Sequence, residues 1–182
     1  MSDNAMISIY PLGKKYFCFY ESPFIQHVDP ITLETIDRLD LNKKLGIFSH
    51  ASHPHYDHHG NMFTMGLKVG IGGPEYVINQ FPKDTAEPFE SGRIIAKVRP
   101  RWIFEPGYMH SFAITENYII LIEQPLTIDV MALAKGMMIR VPNYVSNSNK
   151  RRIVFIGFWY SLAMVVFLTI FPNIFLVRFY CV

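Results

Sequence analysis

Short apolar or alternating runs, broken by turn residues, dominate the chain from Lys14 to about Val130. β-branched and aromatic residues fill these runs, and proline, glycine, aspartate or asparagine stand in most of the breaks. This pattern is typical of strands and tight turns. We therefore predict an all-β region of the propeller or sandwich kind. The predicted strands are Tyr16–Tyr20, Phe24–Val28, Leu45–Phe48, Met62–Lys68, Tyr76–Phe81, Ile94–Val98, Ser111–Ile114 and Tyr118–Glu123, the last two forming a hairpin.

Two segments depart from this alternation. Thr32–Leu41 has a mixed period and a charged face, which fits either a short helix or a strand. Met131–Ile139 has a weakly helical pattern and leads into the polar stretch Val141–Asn149.

The end of the chain is an apolar run without charges, from Ile153 to Val177, preceded by Lys150-Arg151-Arg152. It exceeds the roughly 20 residues that a helix needs to cross a bilayer, so the sequence predicts a transmembrane helix at 153–177. The basic cluster would keep its amino-terminal side in the cytoplasm. Translation of T-rich non-coding sequence would give a similar run, and both explanations of the tail stay open.

Composition limits the remaining classes. The chain is 50% hydrophobic with a net charge of +2, which gives no indication of nucleic-acid binding. Cys18 and Cys181 are far apart and form no disulfide framework, so a reducing compartment is expected. Residues 1–6 lack a secretory signal. We therefore predict a cytoplasmic, membrane-associated protein.

Five histidines lie within ten residues, from His50 to His59, and this density favours metal binding. Four residues, His53, His55, Asp57 and His58, match the ligand spacing of metallo-β-lactamase-like zinc hydrolases, where two zinc ions prime a hydroxide. That fold requires a helix after the loop, but Met62–Lys68 is strand-like. The motif by itself leaves the choice of metal open.

The sequence around the cluster resembles the carotenoid cleavage oxygenase family from about Tyr16 to about Ile139. The matching blocks are Glu21-Ser22-Pro23-Phe24-Ile25, Asp29-Pro30-x-Thr32-Leu33-Glu34-Thr35, Ser52-His53-Pro54-His55-Tyr56-Asp57 with Gly60-Asn61, Pro106-Gly107-Tyr108-Met109-His110-Ser111-Phe112 with Ala113–Ile119, and Glu123-Gln124-Pro125-Leu126.

The resemblance implies a seven-bladed β-propeller, of which this chain would hold about two blades, with Fe(II) bound by four histidines. The first ligand falls on His53 and the second on His110. Glu21 falls where the family has a glutamate that accepts a hydrogen bond from the second ligand, fixing its tautomer. His55 is then not a ligand, and we expect the cluster's other histidines to be solvated.

The implied reaction adds O₂ across a polyene double bond of a carotenoid or retinoid taken from a membrane surface, giving apocarotenals or retinal. The other two histidine ligands lie beyond the resemblance, so we expect a fragment that is inactive by itself. The predicted organisation is a polar segment at 1–13, a partial propeller at 14–140 and a hydrophobic tail at 141–182. A membrane-anchored protein without enzymatic activity is a further alternative.

Overall fold

The computed structural model describes residues 7–123 and 127–129, together with the backbone of residues 164–171 and 174–181. The described chain forms three sheets and one short helix. The all-β prediction is therefore confirmed. The segment Met131–Ile139, predicted as weakly helical, lies outside the described residues.

The first sheet is an antiparallel meander whose strands follow each other in chain order. Its strands are Ser8–Leu12 (β1), Lys15–Phe19 (β2), Phe24–Val28 (β3) and Thr35–Asp40 (β4). Helix α1, Leu41–Leu45, follows directly. Asp40 begins the helix because its carboxylate accepts the backbone N–H groups of Asn42 and Lys43. The ambiguous segment Thr32–Leu41 is thus mostly a strand.

The second sheet is also antiparallel and has the order β5-β7-β8-β9, with β6 paired to the end of β7. Its strands are Ile47–His50 (β5), His55–Tyr56 (β6), Met62–Gly70 (β7), Gly73–Phe81 (β8) and Arg93–Val98 (β9). The short strand β6 lies within the histidine cluster. The cluster is therefore attached to the long central strand of this sheet.

The third sheet contains the predicted hairpin, now seen as Ala113–Ile114 (β10) and Ile119–Glu123 (β11). Two strands from the end of the chain, Met164–Phe171 (β12) and Ile174–Cys181 (β13), complete it. Strand β13 pairs with β12 in antiparallel fashion and with β11 in parallel fashion.

The prediction of a helix at 153–177 is wrong where the structure describes it. Residues 164–171 and 174–177 are strands, and no helix among the described residues is long and apolar enough to cross a membrane. The composition explains the difference, because Met164–Phe171 is rich in β-branched and aromatic residues. Pro172 and Asn173 separate the two strands, at a position where a helix would lose a backbone donor. Residues 153–163 lie outside the described part.

Two apolar layers hold the sheets together face to face. The first layer joins the first sheet to the second and includes Phe17, Phe19, Ile25, Val77 and Phe81, all at most 2% exposed. The second layer lies on the opposite face of the second sheet and packs it against the third. It is built from Met65, Leu67, Tyr76, Ile78, Phe112 and Leu121 with their neighbours. The second sheet is therefore covered on both faces, and most residues of its central strands are buried.

Candidate metal centre

The turn between β2 and β3 positions Glu21. The backbone N–H of Ser22 donates to the Tyr20 carbonyl at 2.8 Å, and the Ser22 hydroxyl accepts the N–H of Phe24 at 3.2 Å. Ser22 and Pro23 are buried, so the turn is fixed against the rest of the protein. The Glu21 side chain remains 18% exposed and contacts His110.

His53 lies on the connection between β5 and β6. The preceding residues are held tightly, because the N–H of Ala51 donates to the Met65 carbonyl at 2.8 Å and Ser52 is fully buried. The following residue, Pro54, is buried as well. His53 is therefore a half-buried side chain on a short, well-anchored connection.

His110 lies on the irregular segment 99–112, which links β9 to β10 and contains no strand or helix. A few contacts fix this segment. Gly107 forms a β-bridge with Thr127, and the N–H of Ile128 donates to the Pro106 carbonyl at 2.8 Å. The Tyr76 hydroxyl donates to the Gly107 carbonyl at 3.3 Å. The His110 side chain is 48% exposed and is therefore accessible from solvent.

The structure brings His53, His110 and Glu21 together, although Glu21 and His110 are 89 residues apart in the chain. The Nε2 atoms of His53 and His110 are 3.1 Å apart. The other ring nitrogen of His110, Nδ1, lies 2.5 Å from Glu21 Oε1. Because the carboxylate accepts the Nδ1 proton, a neutral His110 ring carries its lone pair on Nε2, on the side facing His53.

This pair fits a metal ion in both donor chemistry and spacing. Imidazole–metal bonds of about 2.1 Å place two nitrogens about 3.0 Å apart at a right angle and about 3.4 Å apart at a tetrahedral angle. The observed 3.1 Å lies within this range.

Tyr108 is a member of this network that the sequence analysis did not predict. Its hydroxyl donates to Glu21 Oε2, so the two carboxylate oxygens bind different partners. Burial, together with the hydrogen bond to Glu21, raises the pKa of Tyr108, so the phenol remains a donor. The signal available in the sequence was the position of Tyr108, two residues before the predicted ligand His110 in the same family-like block.

The other histidines of the cluster do not join the pair. The Nε2 of His55 lies 2.7 Å from the Phe112 carbonyl oxygen. His58 and His59 are exposed, with ring centroids 3.7 Å apart.

The expectation that His50 is solvated is wrong. It ends strand β5, is only 2% exposed, and its ring packs edge-on against Phe19. Burial lowers the pKa of His50, against the opposing effect of the backbone oxygens of Ala51 and Phe24. His50 is therefore part of the apolar packing between the first two sheets.

The four residues of the zinc-hydrolase pattern do not converge. The Asp57 carboxylate binds its own loop instead, accepting the backbone N–H groups of His59 and Asn61 and the side-chain amide of Asn61. Burial would raise the pKa of Asp57, but these hydrogen bonds outweigh it and lower that pKa. In residues 7–123 and 127–129, no group of three or more His, Cys, Asp or Glu side chains is placed to hold one ion. The zinc-hydrolase alternative gains no support.

Comparison with known proteins gives one consistent result. The model of the retinal pigment epithelial membrane protein family matches residues 1–156. The carotenoid isomerooxygenase of Galleria mellonella is 39% identical over 137 residues, which cover 75% of this chain and 27% of that protein. The β,β-carotene 15,15'-dioxygenase of Gallus gallus is 38% identical over 152 residues, covering 80% and 29%. The chain thus spans about a quarter of the length of the relatives it matches.

Proposed function

Since the chain belongs to the retinal pigment epithelial membrane protein family of carotenoid oxygenases, we propose that it supplies two iron ligands, His53 and His110, to a carotenoid-cleaving dioxygenase. The reaction would add O₂ across a polyene double bond and release apocarotenals. Relatives named carotenoid isomerooxygenase and β,β-carotene 15,15'-dioxygenase support this class of substrate.

One observation carries the proposal. Two imidazole nitrogens lie 3.1 Å apart, and a carboxylate 2.5 Å behind one of them directs its lone pair toward the other. A hydrogen-bonded pair of surface histidines would not need the carboxylate. A metal ligand usually has such a partner, which fixes the ring orientation and raises its basicity.

Within the proposed site, each residue of this chain has a separate task. His53 and His110 would each donate one Nε2 lone pair to the ion. Glu21 holds the Nδ1 proton of His110, and Tyr108 holds the second oxygen of Glu21. When bound, Fe(II) held by neutral ligands supplies the one-electron chemistry that O₂ activation requires. The chain's own contribution is to orient the ligands and to keep the proton of His110 on the far side of its ring.

The remaining ligands would come from outside these 182 residues, with the three sheets acting as successive blades of a propeller. Three sheets packed face to face through two apolar layers support this arrangement, against the two blades that we predicted. No third ligand for the pair exists among the described residues, so cleavage activity would belong to the longer protein.

Metal analysis tests the proposal directly. We expect anaerobic titration of the chain with Fe(II) to saturate at one ion per chain, with His53 and His110 as the imidazoles whose NMR signals change. Two bound zinc ions per chain, with shifted signals of His55 and His58, would instead establish the hydrolase alternative. Binding of neither ion at the His53–His110 pair would contradict the proposal.

An exposed apolar surface fits the expected contact with a membrane. At the tip of the β7–β8 hairpin Ile71 is fully exposed and Val69 is 39% exposed. Ile103 and Phe104 are 51% and 67% exposed, and Ile103 lies against the hairpin at Gly73. Arg101 stacks over Trp102 beside them, with 4.5 Å from the guanidinium carbon to the ring centroid. We propose that these four apolar side chains insert into the interfacial region of a bilayer. The hydrocarbon interior of that bilayer would supply the apolar substrate.

The double replacement of Ile71 and Phe104 with serine is expected to weaken binding to phosphatidylcholine vesicles. Losing the burial of two such side chains would lower partitioning by at least about tenfold. Ile36→Ser is a matched control, because Ile36 is 58% exposed but lies on β4 of the first sheet. Vesicle co-sedimentation measures the difference, and equal partitioning of all three proteins would refute the assignment of this surface.

A further inference from the structure

His55 connects the two segments that carry the metal-binding pair, although it is not a ligand itself. Its Nε2 lies 2.7 Å from the backbone carbonyl oxygen of Phe112. A carbonyl oxygen only accepts hydrogen bonds, so Nε2 of His55 carries the proton and donates it. The His55 ring also meets the Phe112 ring edge to face, with centroids 4.8 Å apart and planes at 85°.

The same two segments make both contacts, and the two contacts have the same spacing in the chain. The contact from His53 reaches His110 and the contact from His55 reaches Phe112, and each joins residues 57 apart in the chain. The His-Pro-His motif therefore faces the 110–112 segment with both of its rings.

The two ends of the His55 contact are anchored much better than His110 is. His55 is part of β6 and pairs with Phe63 of β7 in the second sheet. Phe112 is 5% exposed and packs in the apolar layer between the second and third sheets. His110, by contrast, is half-exposed and lies on the irregular segment. A bond from His55 to Phe112 thus limits the movement of His110 relative to His53.

We infer that His55 is a positioning residue, which sets the distance between the two ligand nitrogens by tying the segment 110–112 to strand β6. This inference rests on the proposed function, because it concerns how the same two ligands are held. One ring of the His-Pro-His motif binds the ion and the other fixes the backbone that brings the second ligand.

Cobalt(II) titration of the whole chain, followed by visible absorption, tests this role with three variants. His55→Phe keeps an aromatic ring against Phe112 but removes the donor, and we expect it to bind cobalt at least about tenfold more weakly. His55→Gln keeps an N–H donor and is expected to restore most of the affinity. His58→Phe changes an exposed histidine of the same cluster and should leave the affinity unchanged.

The outcomes separate this inference from the proposal it rests on. If the unchanged protein binds no cobalt at the pair, the proposed function fails. If it binds cobalt and His110→Ala abolishes binding, while His55→Phe binds as the parent does, only the positioning role is overturned. Equal loss in the phenylalanine and glutamine variants also overturns it, because the donor would then not be what matters.

Nitrogen NMR of the unchanged protein provides evidence that does not depend on whether a variant folds. We expect the His55 ring to carry its proton on Nε2 and that proton to exchange slowly with water, because it is bonded to the Phe112 carbonyl. A His55 ring protonated on Nδ1 alone, with a bare Nε2, would overturn the inference.

Discussion

Metal binding by the chain is expected to be lost when His110 is replaced with alanine. The variant removes one of two nitrogens that lie 3.1 Å apart, and it leaves Glu21 without the Nδ1 proton that it binds. Removing only the partner behind a ligand typically costs about 10- to 100-fold in metal affinity, so removing the ligand itself should cost more. Glu21→Gln changes only the partner behind the ligand and should therefore lower the metal affinity by about 10- to 100-fold. Cobalt(II) or iron(II) titration under anaerobic conditions measures all three proteins.

His59→Ala is the matched control for this experiment, because His59 is an exposed histidine of the same cluster that lies outside the pair. It should bind metal as the parent protein does. The opposite pattern, in which His110→Ala retains the metal and His58→Ala releases it, would place the ion in the His53–His58 loop and would contradict the site described above.

Replacing Phe81 with alanine is expected to destabilise the protein by about 3–5 kcal/mol, the usual cost of removing a fully buried phenyl ring. Phe81 is 0% exposed and lies in the apolar layer between the first and second sheets. Its ring packs on Phe89 with centroids 4.5 Å apart. Its edge also approaches Gly92 so closely that a side chain there would lie 2.3 Å from it. Urea unfolding followed by circular dichroism measures the loss.

Phe104→Ala makes the same chemical change at a residue that is 67% exposed. Its free energy of unfolding should differ from the parent by no more than about 0.5 kcal/mol. If the two variants were equally stable, the first two sheets would not be joined through Phe81, and the layered packing would be wrong.

Most strands of the first two sheets could be predicted because alternation and turn residues coincide there. Predicted Phe24–Val28 is β3 as observed, and Met62–Lys68 is most of β7. Strand β1 was not predicted, since Ser8–Leu12 contains a proline, which interrupts the usual strand pattern and is tolerated on an edge strand. Its residues fall within 1–13, which the sequence had indicated only as a polar segment.

The apolar run near the end of the chain could not be assigned from hydrophobicity alone. A run of this length satisfies the rule for a membrane helix, and a pair of strands rich in β-branched and aromatic residues has the same composition. Strand β13 pairs with β11, whose residues lie more than fifty positions away in the chain, and no local pattern encodes this contact.

The candidate site, like the fold, could be predicted from the sequence only in part. His53, His110 and Glu21 were named by the family resemblance, and the structure brings them together; their role as iron ligands and partner stays a prediction. The burial of His50 depends on the packing of Phe19 from another sheet, which local sequence does not contain. Tyr108 and the carbonyl contact of His55 are likewise contacts between segments that only the folded chain brings together.

The segment 99–112 links the position of His110 to the rate at which a bound ion would be released. It contains His110 but no strand or helix, and hydrogen bonds to neighbouring elements hold it. Such a segment opens at a lower free energy than the sheets beneath it. The lifetime of a bound ion would then follow the frequency of this local opening, while the sheets stay folded. Amide hydrogen exchange in 99–112 and metal release should therefore slow down together when the segment is tightened.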